Sequence, residues 1–438
     1  MKKFSIVLSM LMITYHSYSQ ELARRANLGF RSSSPSIESP GAIVREVVGT
    51  SAFAKAGLKI GDRIVKYNGE LLNDADRWSD MRYQARKGDQ VELLIKRKDR
   101  ILTLSAKLEE TPRENYQHVD VLYGSVLSDY GQRLRTIVTK PKGQKGKLPA
   151  LFVLQGLSCS SIEVFPGRFE TGWTQFLRDI ASKTNMIVMR VEKPGVGDSE
   201  GACSQTDLRM EMAGYRAALQ KLKSREDVDT TKLIVYGSSM GSALAPILAN
   251  EFNAVGIISD GTFVKTWFEH MLEIERRILA FKGNSPTEVN TKINEAYIPL
   301  YYGMLVEKKS YEQVINEKPH LKEFNYHGAK HMYGRPVEYY HQVQDLNIAG
   351  AWAEVKVPVR IMRGTNDWIM SDEDNDMIIE ILEDAGHTDH QLYRYEGLDH
   401  WNRIHDSAIS SFQGNPGKWE DEISGIVIDW SQEMVGIR

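Results

Sequence analysis

Two patterns of apolar and polar positions divide the chain. From residue 149 onward, short unbroken apolar runs recur at 149–154 (PALFVL), 186–191 (MIVMRV), 232–236 (KLIVY), 254–259 (AVGIIS) and 357–363 (VPVRIMR), with a further strand pattern at 390–396. Runs apolar on consecutive positions suit strands buried on both faces of a mostly parallel sheet. Helical periodicity fills the gaps at 172–183, 206–223, 240–252, 372–385 and 418–434. Strand and helix in alternation predict a doubly wound, mostly parallel α/β domain. Residues 118–127 and 132–139 read as a hairpin that opens it. Upstream the pattern is different. Short strands are predicted at 41–48, 63–67, 90–96 and 101–108, with the tight-turn pair Asn68-Gly69 after the second. Ala54 to Leu58 forms a helical turn, and 76–86 a short helix. This is a small β-rich unit.

One interval breaks the α/β rhythm. Between Asp260 and Val357 no clear sheet strand occurs, and a helix at 267–281 stands among residues rich in Tyr, His, Glu and Lys. A stretch this long is rarely plain loop, so 262–350 is read as a helical cap inserted into the α/β domain. The division is then a leader at 1–19, the β-rich unit at 22–110, a polar, proline-marked linker at 111–117 and the large domain at 118–438. The leader reading rests on Lys2-Lys3, an apolar core from Phe4 to Tyr15 and the small residues of Ser17-Tyr18-Ser19. That is the grammar of a cleaved secretory signal, with Gln20 first in the mature chain, and it implies a periplasmic or extracellular protein.

Charge and composition narrow the field. Lys and Arg number 55 against 58 Asp and Glu, a formal charge of −3 that becomes −5 once Lys2 and Lys3 are removed. No basic field exists to attract nucleic acid. No apolar run reaches the roughly 20 residues that a membrane span needs. Two cysteines exclude a disulfide-dense scaffold and a cysteine-based zinc site. The histidines His387, His390 and His405, and the i, i+4 pair His327 and His331, match no metal motif, so no metal and no cofactor are expected.

Chemistry concentrates at Gly237-Ser238-Ser239-Met240-Gly241. It follows the strand at 232–236 directly and precedes a helical run, the setting in which G-x-S-x-G makes a nucleophile. Small flanking residues let the turn fold tightly, and the following helix aims its N–H groups at a developing oxyanion. Ser239 is the predicted nucleophile. It needs a base that is itself oriented by a carboxylate. In the order serine, acid, histidine, Asp367 follows the strand at 357–363 and His400 follows the strand at 390–396. Asp260 is the reserve acid and His405 the reserve base. Asp372, Asp374 and Asp376 read as a solvated helix start. The loop Gln155-Gly156-Leu157-Ser158-Cys159 supplies the second oxyanion donor, giving the backbone N–H groups of Leu157 and Met240 that role.

These residues resemble the α/β-hydrolase superfamily. The nucleophile turn carries the resemblance, together with Gln155-Gly156 where many members have His-Gly. Pro194-Gly195-Val196-Gly197-Asp198-Ser199 adds to it, standing where members keep a glycine-rich turn after their fourth strand. The resemblance implies an α/β-hydrolase sheet with a cap that shapes the substrate pocket. It also implies that the loops after the third and fourth strands emerge side by side, which makes Cys159 and Cys203 a disulfide candidate in a secreted protein. The β-rich unit resembles a PDZ domain through Ala54-Lys55-Ala56-Gly57-Leu58-Lys59-Ile60-Gly61-Asp62-Arg63-Ile64 and Asn68-Gly69. Asn27-Leu28-Gly29-Phe30 stands at the family's carboxylate-binding loop. That likeness implies that the N–H groups of Leu28, Gly29 and Phe30 receive the C-terminus of a peptide, which then adds a strand to the sheet edge.

The sequence thus predicts a secreted serine hydrolase that cleaves an ester, or a thioester or amide, through an acyl-enzyme. Its partners are a small ester or peptide substrate and a peptide C-terminus at the PDZ unit. Two other readings are a PDZ-guided serine peptidase and a catalytically silent PDZ-containing binding protein. The cap aromatics Trp267, Tyr301, Tyr302 and Tyr333 are candidates for a pocket wall or for the cap's own core.

Overall fold

The computed structural model describes residues 22–165, 171–325 and 331–437. The leader and its cleavage point at Ser19 lie outside the described residues, as does His327. The β-rich unit is an antiparallel sheet of β1 (Phe30–Ser32), β2 (Ala42–Val47), β3 (Arg63–Tyr67), β4 (Gln90–Arg97) and β5 (Arg100–Lys107), in that spatial order. Alternation along β4 turns Val91, Leu93 and Ile95 inward onto Phe53, Ile64 and Trp78. Trp78 comes from α1 (Ala75–Gln84), whose start is capped by the Asp74 carboxylate accepting from Arg77 N–H at 2.8 Å.

The large domain is built on eight strands: β6 (Val119–Leu127), β7 (Arg133–Pro141), β8 (Leu148–Leu154), β9 (Ile187–Val191), β10 (Val228–Ser238), β11 (Gly256–Asp260), β12 (Val359–Gly364) and β13 (His390–Tyr395). Their spatial order is β13-β12-β11-β10-β8-β9-β7-β6. The six strands from β8 to β13 pair in parallel, while β7 runs antiparallel to β9 and to β6. The apolar runs are continuous because both faces are covered. Leu151, Val153, Ile234 and Tyr236 pack on one side, and Ala150, Phe152, Leu233 and Val235 on the other.

The covering helices are α2 (Gly172–Lys183), α3 (Leu208–Lys223), α4 (Met240–Phe252), α5 (Trp267–Phe281), α6 (Asp372–Asp384) and α7 (Glu422–Val435). Helices α2 and α7 lie on one face, and α3, α4 and α6 on the other. The interval between β11 and β12 is mostly helical, beginning with α5 and ending with Ile348–Ala353, with a small hairpin at His331–Met332 and Arg335–Pro336. The expected fold class, a doubly wound α/β sheet with a helical cap behind a small β-rich unit, is the one observed.

In the linker at 111–117, Pro112, Arg113, Asn115 and Gln117 are exposed, while one side chain ties it to the large domain. Glu114 is buried and grips Arg190 at 2.8 and 2.7 Å, while its Oε1 also accepts from Val164 N–H at 2.6 Å. Just before the PDZ sheet, Arg24 is likewise buried between Glu163 (2.5 Å) and Asp198 (3.1 Å) of the large domain. Glu114 and Arg24 thus form a buried ionic seam that composition alone does not reveal.

Candidate active site

Ser239 sits between β10 and α4 with φ 55° and ψ −124°. Such a backbone is strained for any residue with a side chain, and the surroundings hold it. Its N–H donates to Asp260 O at 2.9 Å. The flanking glycines are obligatory. A Cβ on Gly237 would lie 2.3 Å from Gly241 O, and one on Gly241 would lie 2.4 Å from Leu154 O.

The turns after β12 and β13 bring the other two predicted residues to the serine. His400 Nε2 lies 3.0 Å from Ser239 Oγ, and His400 Nδ1 lies 2.8 Å from Asp367 Oδ2. Asp367 Oδ1 accepts from the N–H groups of Ile369 (2.8 Å) and Met370 (3.0 Å), so its carboxylate cannot rotate away. The reserves are placed elsewhere. Asp260 is buried under Tyr236, whose hydroxyl donates to it at 3.0 Å, and burial pushes this carboxyl up to about 6. His405 faces Asp399 at 3.1 Å rather than the serine. Asp374 is not solvated: it is buried, and its Oδ1 accepts from Val264 and Lys265 N–H at 2.8 and 3.0 Å. Among the described residues no cluster of three metal-ligating side chains occurs.

The two expected oxyanion donors are the backbone N–H groups of Met240 and Leu157. Met240 is the first residue of α4, where N–H groups have no intrahelical partner. Leu157 lies beside the nucleophile, since a Cβ on neighbouring Gly156 would stand 3.0 Å from Ser239 Cβ. The loop around Leu157 is anchored from beneath. Lys193, two residues past β9, donates from its buried side-chain nitrogen to Gly156 O and, at 3.2 Å, to Ser158 O, and burial pulls its pKa well below the ordinary lysine value. Glu211 of α3 pairs with Lys193 at 3.3 Å and also with Arg335 of the cap hairpin. Arg335 in turn reaches Cys203 Sγ at 2.8 Å. Cys159 and Cys203 are joined in a disulfide across 44 residues, so the oxyanion loop is tied both to β9's following loop and to the cap. Sequence reasoning missed Lys193, Glu211 and Arg335. The one available signal was a lysine at the end of a strand with both faces covered, where an unpaired charge is costly.

The serine opens into a cleft of about 1610 Å³. Apolar side chains dominate its walls, among them Trp173, Phe165, Phe263, Ile274 and Met370. The cap aromatics divide: Trp267 and Tyr333 line the cleft, Tyr301 is buried with its hydroxyl donating to Glu275 at 2.7 Å, and Tyr302 is exposed.

At the PDZ unit, β1 is an edge strand. Gly29 takes φ 69°, and a Cβ there would lie 2.0 Å from Ser51 Cβ. Of the three expected carboxylate donors, Leu28, Gly29 and Phe30, the Gly29 N–H is already given to Asn27 Oδ1 at 3.0 Å. The Asn27 side chain thus supplies the acceptor from within the loop itself. Trp78 of α1 also reaches β1, donating to Ser32 Oγ at 3.2 Å and stacking 6.5 Å from Phe30.

Comparison with known proteins agrees with this architecture. Residues 26–108 match the PDZ domain model, and residues 164–402 match the model described as serine aminopeptidase, S33. Esterase EstD of Thermotoga maritima is 21% identical over 267 residues, covering 60% of this chain and 56% of that protein. The α/β hydrolase domain-containing protein WAV2 of Arabidopsis thaliana is 31% identical over 91 residues, covering 20% of this chain and 29% of that protein. The chain thus spans about half, or less, of the curated relatives it matches. Among solved structures, an esterase of Pyrococcus furiosus aligns at TM-score 0.45 and 12% identity, over 74% of this chain and 98% of its own. Acetyl xylan esterase 1 from Thermoanaerobacterium sp. aligns at 0.43 and 13%, over 74% and 87%. With the S33 model covering more than half of its length, the chain belongs to the serine aminopeptidase S33 family of α/β-hydrolases, with a PDZ domain before its hydrolase domain.

Proposed function

We propose that the protein hydrolyses carboxylic esters by way of an acyl-enzyme on Ser239. The observation that carries this is the hydrogen-bonded line from Ser239 Oγ through His400 to Asp367, at 3.0 and 2.8 Å, in a turn that presents the serine to an apolar cleft. His400 takes the proton of Ser239 as its oxygen attacks the carbonyl carbon. The N–H groups of Leu157 and Met240 hold the oxyanion. Collapse expels the alcohol, which leaves with the proton from His400, and water then releases the acid by the same steps in reverse. Asp367 keeps the imidazole in the right tautomer and stabilises its charged form.

Ester is favoured over the aminopeptidase reading by the cleft's charge. An aminopeptidase must hold the ammonium of its substrate, and a buried ammonium needs a carboxylate partner. The ionic side chains and histidines among the described lining residues are Arg178, Arg403, His270 and His400, with no Asp or Glu. Export is proposed on the leader pattern at 1–19 together with the Cys159–Cys203 bridge. Mature protein recovered from an exporting host is then expected to begin at Gln20 by intact mass, and retention of Met1 would refute export.

The deciding experiment is fluorophosphonate labelling of wild type beside Ser239→Ala, followed by turnover of 4-nitrophenyl butyrate. One adduct per chain that vanishes in the variant, with ester turnover, supports the reading. A folded protein that takes no adduct would point to the silent binding protein. Faster cleavage of a free-tailed peptide than of its amidated twin would favour the PDZ-guided peptidase.

A further inference from the structure

One wall of the cleft is irregular chain that the PDZ unit helps to hold. Residues 155–165 belong to no helix or strand. Ser160, Ser161, Val164 and Phe165 of this stretch line the cleft that holds Ser239. Without a helical or sheet ladder, such a segment keeps its place only through individual contacts. Two are made by its backbone: Ile162 N–H donates to Glu192 at 3.2 Å, and Val164 N–H to Glu114 at 2.6 Å.

The side chains of the segment are gripped by Arg25. Its Nη2 donates to Ser161 Oγ and to Glu163 Oε2, each at 3.1 Å. Its guanidinium carbon stands 4.1 Å from the centre of the Phe165 ring. A flat cation over an aromatic face fixes the plane of the ring as well as its position. Arg25 is itself anchored in the PDZ unit by backbone. Ala26 N–H donates to Ala85 O at 2.9 Å, Lys87 N–H to Arg24 O at 3.0 Å and Thr111 N–H to Arg25 O at 3.0 Å. Its main chain thus lies in one unit and its side chain on the cleft wall of the other. Arg24 ties the units together through Glu163 and Asp198. Arg25 differs in reaching two residues that line the cleft, Ser161 and Phe165.

We propose that Arg25 is a positioning residue through which the PDZ unit fixes the cleft wall at 161–165, and that it thereby sets how well the enzyme accepts long apolar chains. Val164 and Phe165 make that wall apolar, so a chain that reaches it gains from its being held in place. The proposal rests on the ester-hydrolase reading and adds the chain-length range to it. It gives the PDZ unit a role that requires no bound peptide.

Two series test it, one for each side of the ester bond. The acyl series compares 4-nitrophenyl octanoate with 4-nitrophenyl acetate, and the alcohol series octyl acetate with ethyl acetate. The short member ends close to Ser239, so the long-to-short ratio of kcat/KM isolates what the walls contribute. Arg25→Met should lower that ratio about ten-fold in at least one series. Arg25→Lys keeps the charge against Glu163 but loses the flat face over Phe165, so its ratio should lie between the two. It carries the test alone if Arg25→Met does not fold. A merely structural role would slow long and short esters in step. Adding Arg25→Lys to Phe165→Leu should lower the ratio no further than Phe165→Leu alone, because the lost contact acts through that ring. Wild-type ratios in both series for every Arg25 variant that folds, or an undiminished effect of Arg25→Lys beside Phe165→Leu, overturn the proposal. If wild type neither labels with fluorophosphonate nor turns over any ester, the parent reading fails instead. Amide-hydrogen exchange then judges the wall separately: faster exchange of the Ile162 and Val164 N–H groups in Arg25→Lys upholds the proposal, and unchanged exchange overturns it.

Discussion

Burial by itself would raise the Asp367 carboxyl, yet the His400 imidazole, Arg363 and the Met370 N–H together hold it below the ordinary range. For His400 the contest runs the other way. Burial lowers its pKa, but Asp367 beside it, reinforced by Asp260 and Asp399, raises it above the ordinary 6.5. Only the neutral imidazole can take the serine's proton, so kcat/KM should rise with pH and reach half its maximum above pH 6.5. Asp367→Asn removes the charge that raises His400. Its pH profile should shift downward, and its kcat should fall by about 10⁴-fold, as expected when the acid of such a triad is neutralised. A profile that stays in place would mean that Asp260 supplies the field at His400. These residue-scale features were largely legible beforehand, because nucleophile, acid and base each follow a strand end that apolar runs mark out. His270 was not, since nothing in its sequence neighbourhood says that α5 forms a cleft wall.

At the scale of elements, the oxyanion loop depends on supports from three places. Lys193 holds the carbonyls of Gly156 and Ser158 from the end of β9, and the disulfide fastens Cys159 to the loop after that strand. Arg335 closes the group from the cap hairpin through Glu211 and Cys203. Lys193→Met should free the loop and misplace one oxyanion donor, lowering kcat by about 10²-fold with less change in KM. Single-turnover kinetics on 4-nitrophenyl butyrate will show whether the acylation step carries the loss. Closing a loop of 44 residues stabilises the fold by about 4 kcal/mol in the chain-entropy picture. Adding reductant should therefore lower the thermal midpoint. Thiol titration of unfolded, unreduced protein should find no reactive thiols, and two would disprove the bridge.

Across the whole molecule, the PDZ unit is packed into the catalytic domain rather than strung beside it. Arg24 and Arg25 converge on Glu163, next to the cleft residues Val164 and Phe165, and Asp80 of α1 accepts from Ser204 beside Cys203. Arg24 is the pivot, since it also meets Asp198, which Arg135 shares at 2.9 Å. Removing one partner of a buried ionic group leaves the others uncompensated, at about 3–5 kcal/mol. Wild type should therefore unfold in one calorimetric transition. Arg24→Ala should lower its midpoint and separate the PDZ unit as an earlier step. Two transitions already present in wild type would show that the seam does not couple the units. The same contacts give the PDZ unit a line to the cleft wall that involves no peptide.

Local sequence decided the elements and the reacting residues of this protein. Strand runs such as 149–154 and 232–236 must bury both faces, and a serine between Gly237 and Gly241 can only sit in a tight turn, so the sheet and the nucleophile are written in neighbours a few positions apart. Tertiary structure alone decided what surrounds them. Whether Glu114 in the linker is solvated or buried depends on Arg190, more than seventy residues away in sequence. Whether the Gly29 N–H is open to a peptide depends on which way the Asn27 side chain turns. Whether Lys193, Glu211, Trp267 and His270 are surface residues or the frame and wall of a cleft depends on how the cap lies on the sheet. Charges and rings of these types are common on surfaces, and only long-range packing removes them from water and gives the charges their partners.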